Sequence, residues 1–419
     1  MADINKDKLV PQIRFKGYTD AWEQRSLGEV ADITKLAGFE FTKYVVYSDC
    51  GEIIALRGLN VKNGDLILDD VKYIDLSDFT KLERSKLYEG DILLTYVGTV
   101  GQLAVVPKND KYYLAPNVAR IRVDNTVNPA FISQQMGSND FYDAIIYPLI
   151  ATSSQPALSM ENVRKFEISL PALPEQTAIS NFFRTLDTAL TLRKRKLDKL
   201  KDLKKGYLQR MFPQGSETVP RLRFARFTGD WHIQTLGSIT ERITRKNTNL
   251  ESTLPLTISA QHGLIDQTEF FDKQVASRDV SGYFLLKNGE FAYNKSYSNG
   301  YPWGAVKRLD RYEMGVLSTL YIVFAPTTVD SEFLLQYYET DNWHTEIAKR
   351  AAEGARNHGL LNITPADFFE TSLMIPKTEH EQKAIGYFFN KLDAKISAHA
   401  IKLEHFKKLK SAYLQKMFI

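Results

Sequence analysis

The chain has 419 residues, 43% of them hydrophobic and 25% charged, which is room for two or three globular domains, each with its own core. Its 54 basic residues nearly balance 50 acidic ones, leaving a net charge of +4, so any attraction to nucleic acid has to come from local clusters. No stretch approaches the roughly 18 consecutive apolar residues of a membrane span, the opening lacks a signal-peptide core, and the lone Cys50 excludes an internal disulfide; the reading is a cytoplasmic protein.

In chain order, the first motif is Val10-Pro11, Arg14-Phe15, Thr19, Trp22 and Leu27-Gly28. It recurs as Val219-Pro220, Arg223-Phe224, Thr228, Trp231 and Leu236-Gly237, at an offset of 209. After each copy comes a region that hardly matches its counterpart. Short apolar runs bounded by Gly, Pro, Asn and Asp predict strands at Ile53–Leu56, Asp91–Thr95, Leu103–Val106 and Val118–Val123, and again at Phe291–Tyr293 and Leu320–Phe324. Short helices are predicted from Asn128 to Met136 and from Ser331 to Tyr338.

The second repeat closes each half. Glu175 through Phe212 returns as Glu381 through Phe418 at a constant offset of 206, with 18 of 38 positions identical. Apolar residues spaced by threes and fours predict a long helix in each copy. The coiled-coil positions are Ile179, Phe183, Leu186, Leu190, Leu197 and Leu200, then Ile385, Phe389, Leu392, Ile396, Leu403 and Phe406. Arg193/His399 and Lys204/Lys410 interrupt both seams at matching places. Pro174 suits a first turn, and Thr378-x-x-Glu381 reads as a capping box. Each helix spans about 37 residues and ~55 Å, too long to bury its stripe in a small domain, so the economical partner is the other copy, antiparallel.

The fold expected is therefore α+β: two globular mixed α/β domains joined by two long antiparallel coiled-coil helices, an internal duplication with pseudo-twofold symmetry. The boundaries are 10–170 and 213–375 for the variable domains, and 171–212 and 376–419 for the helices.

Catalytic signatures are missing. Gly-Lys never occurs, no Gly-x-Gly-x-x-Gly turn exists, the seven histidines are scattered, and no metal set is expected. Asp367 with Glu381-Gln382-Lys383 loosely imitates a nuclease metal site, but the first copy reads Glu175-Gln176-Thr177 and lacks the lysine, so helix capping is the plainer reading.

The twofold pattern Glu-Gln-x-x-Ile, then a basic leucine-rich helix ending Tyr-Leu-Gln-x-Met-Phe, each after a variable region that opens near Trp-x-x-x-x-Leu-Gly, resembles the specificity subunit of type I restriction–modification systems. The resemblance runs from about Val10 to Phe418. It implies a noncatalytic chain with two target-recognition domains, each reading one half of a bipartite asymmetric DNA site. It implies spacer helices that set the gap and dock two methyltransferase (modification) subunits. Restriction/translocase subunits complete the complex. No cofactor is implied in this chain; S-adenosylmethionine, ATP and magnesium belong to the partner subunits. The partner is double-stranded DNA and not a membrane.

Base reading needs Arg, Lys, Asn, Gln, His or hydroxyl side chains on loops, with cations on phosphates. In the first domain these are Arg57, Asn60, Lys62, then Thr95, Thr99, Gln102, then Ser153, Ser154, Gln155. In the second they are Ser259, Gln261, His262, then Asn294, Lys295, Ser298, then Arg356, Asn357, His358. Glycines in these loops would let backbone approach a duplex. The cations from Arg193 to Arg210 on the first helix suit either phosphates or an acidic partner. The alternatives are a protein-interaction scaffold without DNA specificity, and a nuclease built on Asp367, Glu381 and Lys383.

Overall fold

A computed structural model describes residues 9–62, 64–109, 111–151, 155–259, 262–271, 276–296, 300–351 and 361–419. The chain forms two compact units: Met1–Lys194 with Lys402–Ile419, and Arg195–Ile401. Each unit thus takes part of both long helices, Leu173–Met211 and Glu379–Met417, which have 39 residues each.

The first unit is built around a four-stranded antiparallel sheet in the order Ala31–Lys35, Val118–Val123, Ile92–Thr95, Leu103–Val105. Ile92–Thr95 is buried throughout because both faces of its sheet are covered. Ile92 and Leu94 face a core shared with Trp22, Phe131 and the long helices, whereas Leu93 faces an outer lobe. That outer core includes Ile54–Leu56 and Tyr112–Leu114, which pair in parallel. Helix Pro129–Met136 starts where Asn128 accepts from the backbone N–H groups of Ala130 and Phe131.

The second unit repeats the plan. Its sheet runs Thr240–Arg242, Ile322–Pro326, Phe291–Asn294, Ala305–Arg308, the same order by position in the chain. Phe291 and Tyr293 face the helix-side core and Ala292 the outer lobe. Helix Ser331–Tyr337 is capped by Asp330. The outer lobe differs: it holds the hairpin Leu256–Ser259/Gly263–Asp266 and the ladder Phe284–Lys287/Met314–Leu317.

All twelve predicted coiled-coil positions are buried or half-buried. Within the first unit Phe182 meets Tyr413 while Asp187 meets Lys410, so the two helix segments run antiparallel; within the second, Lys204 meets Asp393 and Tyr207 meets Phe388 in the same sense. The interruptions are used. Lys410 pairs with Asp187, Lys204 pairs with Asp393 at 2.7 Å, and Arg193 stacks 4.1 Å from the Phe406 ring centroid. The helix ends are anchors. Phe418 sits among Trp22, Phe131 and Phe183, and Phe212 among Trp231, Phe333 and Phe389.

The Glu-Gln pair does more than cap. Glu175 accepts both arms of Arg14 at 2.6 and 2.7 Å, and Glu381 accepts both arms of Arg223 at 2.7 and 2.8 Å. Gln176 accepts from the Asn128 N–H and donates to the Pro171 carbonyl; Gln382 does the same with Asp330 and Pro376. The Thr378 hydroxyl caps the Glu381 N–H, but the Glu381 carboxylate is spent on Arg223 and the Trp231 indole, so the expected reciprocal capping box is only half formed.

Candidate nucleic-acid interface

In the first unit, loops far apart in sequence converge beyond one end of the sheet. The turn between Ile92–Thr95 and Leu103–Val105 folds back on itself. The Thr95 hydroxyl donates to the Thr99 carbonyl and accepts from the Gln102 N–H. The Gly98 N–H donates to the Pro156 carbonyl, and Leu158 N–H to the Tyr96 carbonyl, which brings in residues 156–158. Arg57-Gly58-Leu59 closes the other side. Together with Tyr47, Pro116 and Asn117 these residues line a cleft of about 400 Å³.

Inside it the predicted residues divide. Thr99 is exposed, and Lys62 and Gln155 are exposed nearby in the chain. Lys62 has no ion pair among the described residues. Arg57 lines the cleft half-buried, its guanidinium held 2.8 Å from Asp70. Gln102 is half-buried. Two of these expectations are corrected. Asn60 has no exposed surface: its carbonyl accepts from Arg57 N–H and its amide donates to the Ile67 and Asp70 carbonyls, so it holds the loop and cannot meet a base. Thr95 is 1% exposed with its hydroxyl committed to the turn. Ser153 and Ser154 lie outside the described residues.

In the second unit Ser259 is likewise corrected. It is buried and accepts from the His262 N–H, so it shapes the hairpin tip on which His262 is exposed. Asn294 accepts from Ser296 N–H, and the Lys295 amine reaches back to the Ile363 carbonyl at 3.4 Å, so both are half-buried loop supports. Leu361 N–H donates to the Lys295 carbonyl, as Leu158 does to Tyr96 in the first unit. Gln261, Ser298, Arg356, Asn357 and His358 lie outside the described residues.

Gly101 is a glycine for packing and not for DNA approach. Its φ is +91°, and a Cβ there would lie 2.6 Å from the Tyr142 ring. Tyr47, Asn117 and Lys35 escaped the sequence reading. The only signal was the turn dipeptide Pro116-Asn117 ahead of the Val118 strand. Lys35 is exposed on the adjoining strand with its amine 4.9 Å from the Tyr96 ring centroid. Burial raises the Tyr47 phenol, with Arg57 opposing, and burial raises Tyr96 as well, so both hydroxyls stay protonated near neutrality.

On the first long helix Lys194, Arg195, Lys196, Lys199, Lys201, Lys205 and Arg210 are exposed, without ion pairs among the described residues. The nuclease constellation is not assembled. Asp367 accepts from the Thr364 N–H and hydroxyl in the capping box that Thr364 opens, Glu381 is buried against Arg223, and Lys383 pairs with Glu379 at 2.7 Å. Among the described residues no cluster of three or more His, Cys, Asp or Glu side chains could hold a metal ion, and no helix is long and apolar enough to cross a membrane.

Residues 19–202 match the family described as type I restriction modification DNA specificity domain. The chain is similar to the putative type I restriction enzyme MjaX specificity subunit of Methanocaldococcus jannaschii, 20% identical over 237 residues, 52% of this chain and 52% of that one. It is also similar to the type I restriction enzyme EcoKI specificity subunit of Escherichia coli, 26% identical over 131 residues, 30% of this chain and 28% of that one. These matches thus span about half or less of the curated relatives' length. In fold it is similar to the crystal structure of the type-I restriction-modification system S subunit from M. genitalium, with a TM-score of 0.61 at 14% identity, covering 98% of this chain and 99% of that one.

Proposed function

We propose, from the match of residues 19–202 to the type I restriction modification DNA specificity domain family, that this chain is the noncatalytic DNA-reading subunit of a type I restriction–modification complex. Each unit reads one half of a bipartite, asymmetric site. The paired helices set the interval between the halves and dock two methyltransferase subunits, which bring S-adenosylmethionine. Restriction/translocase subunits bring ATP and magnesium.

One observation carries this reading beyond that match. The cleft of the first unit collects polar loop residues from four separate stretches of chain at one end of a sheet, on a scaffold that the second unit repeats with different loops. A rigid frame with exchangeable loops suits two half-sites of different sequence. Exposed cations on the first helix add a phosphate-facing or partner-facing strip.

The test is methylome sequencing of cells that express the chain with its modification subunit. The expected result is N6-methyladenine in one bipartite motif, lost when this chain alone is withdrawn. An assembled complex that marks no motif, or a purified complex whose duplex affinity does not fall as salt rises, would favour a protein-interaction scaffold instead.

A further inference from the structure

Asn117 stands on the cleft of the first unit with φ +72°, in the left-handed region that side-chain-bearing residues rarely adopt. The sheet frame does not demand that conformation. Ile121 pairs with Ile92, and Phe324 pairs with Phe291 in the second unit, so counting back four residues sets Asn117 against Leu320. Leu320 is also an exposed turn residue before a central strand, yet it is not among the residues of positive φ. The second unit therefore enters the same strand without the strain. The local Pro116-Asn117 turn, with an asparagine at its positive-φ position, sets this conformation in the first unit alone.

The backbone at Asn117 is pinned on both sides. Its carbonyl accepts the Tyr96 N–H at 3.0 Å, and Val118 beyond it is fully buried. The side chain is exposed, and its amide has no hydrogen-bond partner among the described residues. It shares the cleft with Arg57, Thr99 and Tyr47. Lys35, whose strand register sets it opposite Ala119, is an exposed cation beside this group without an ion pair among the described residues. A carboxamide presents one donor and one acceptor side by side, the complement of adenine N7 and N6 in the major groove.

We infer that Asn117 is a specificity-determining residue of the first unit, reading an adenine edge while Lys35 neutralises a neighbouring phosphate. The inference rests on the DNA-reading function proposed above. Asn117 acts on the base directly, and the left-handed backbone aims it.

The experiment compares the methylomes of complexes carrying the wild-type chain, Asn117→Gly, Asn117→Asp and Lys35→Ala. Glycine accepts φ +72° without strain, so the Asn117→Gly chain should fold and assemble at least as well as wild type. Its motif should become degenerate at one position of one half-site, where discrimination falls on the order of ten- to hundredfold. Asn117→Asp keeps the shape, loses the donor, and should shift that position from adenine toward cytosine. Lys35→Ala should weaken binding across sequences, lowering the salt slope by about one, without changing the motif. An unchanged motif in Asn117→Gly, with the wild-type motif established, overturns this inference and leaves the proposed function standing. A wild-type complex that assembles and marks no motif overturns the proposed function itself.

Discussion

The two units share a frame and differ in what the frame carries. Arg14–Glu175, Gln176–Asn128, Lys410–Asp187 and Phe418 in the first unit answer Arg223–Glu381, Gln382–Asp330, Lys204–Asp393 and Phe212 in the second. The outer lobes share neither strand pairing nor loop chemistry. One has a parallel pair, Ile54–Leu56 with Tyr112–Leu114, whereas the other is built on the antiparallel ladders Leu256–Ser259/Gly263–Asp266 and Phe284–Lys287/Met314–Leu317. The difference teaches where sequence is constrained. Buried charges and close aromatic packing tolerate few substitutions, whereas an exposed lobe can change while its sheet stays.

The largest expected effect breaks one frame and spares the other. Glu175 is 1% exposed, so Arg14→Ala strands a buried carboxylate and should destabilise the first unit by about 3–5 kcal/mol. Arg223→Ala should do the same to the second through Glu381. Hydrogen exchange resolved by unit is the measurement; equal loss of protection in both units from either variant would contradict independent closure.

Next in size is Phe418→Ala. Although Phe418 is the next-to-last residue, its ring lies in the first unit's core, and its loss should cost about 3 kcal/mol there. Phe212→Ala should cost a similar amount in the second unit. Proteolysis that attacks residues near Trp22 sooner in Phe418→Ala, while leaving the region of Trp231 protected, is the expected pattern.

A smaller effect tests a place where the frames part. Ser180 is buried with its hydroxyl on the Gln176 carbonyl, while its counterpart Gly386 lets the helix come so close that a Cβ would meet that of Glu332 at 2.6 Å. Gly386→Ser should therefore destabilise by about 1–3 kcal/mol through overpacking. The reverse exchange, Ser180→Gly, should cost only about 0.5–1 kcal/mol. Thermal or denaturant unfolding of the pair checks the asymmetry; equal losses would mean the two helices approach their neighbours alike.

The smallest effect lies in the seam. Lys204–Asp393 is partly exposed, and a double-mutant cycle should return a coupling of about 0.2–1 kcal/mol that shrinks with salt. A value several times larger would place the pair among the principal supports of the helix pairing.

The duplication was legible as repeated sequence, and the long helices and six of the strands were legible because they follow from period and turn residues. Helices form at Pro129–Met136 and Ser331–Tyr337, within one residue of the predicted spans, and Val118–Val123 forms a strand with the predicted bounds. The candidate site was legible only as a neighbourhood. Asn60, Thr95 and Ser259 had the right chemistry for reading bases, yet they are buried, because a polar loop also needs residues that satisfy its own backbone.

The Glu-Gln pair shows the same limit. Its helix-starting position could be read locally, but its bonds to Arg14 and Arg223 cross 161 and 158 residues. Although both arginines sit in the duplicated opening motif, no spacing rule joins them to the helix. By itself the sequence determined the two long helices, several short elements and the twofold use of the opening and closing motifs, since periodicity and repeats are read along the chain. Only the tertiary structure decided that the chain's last residues close its first unit, which polar groups are spent inside, and which, like Asn117, are left facing out. Those outcomes depend on burial, and burial is set by contacts that no local pattern encodes.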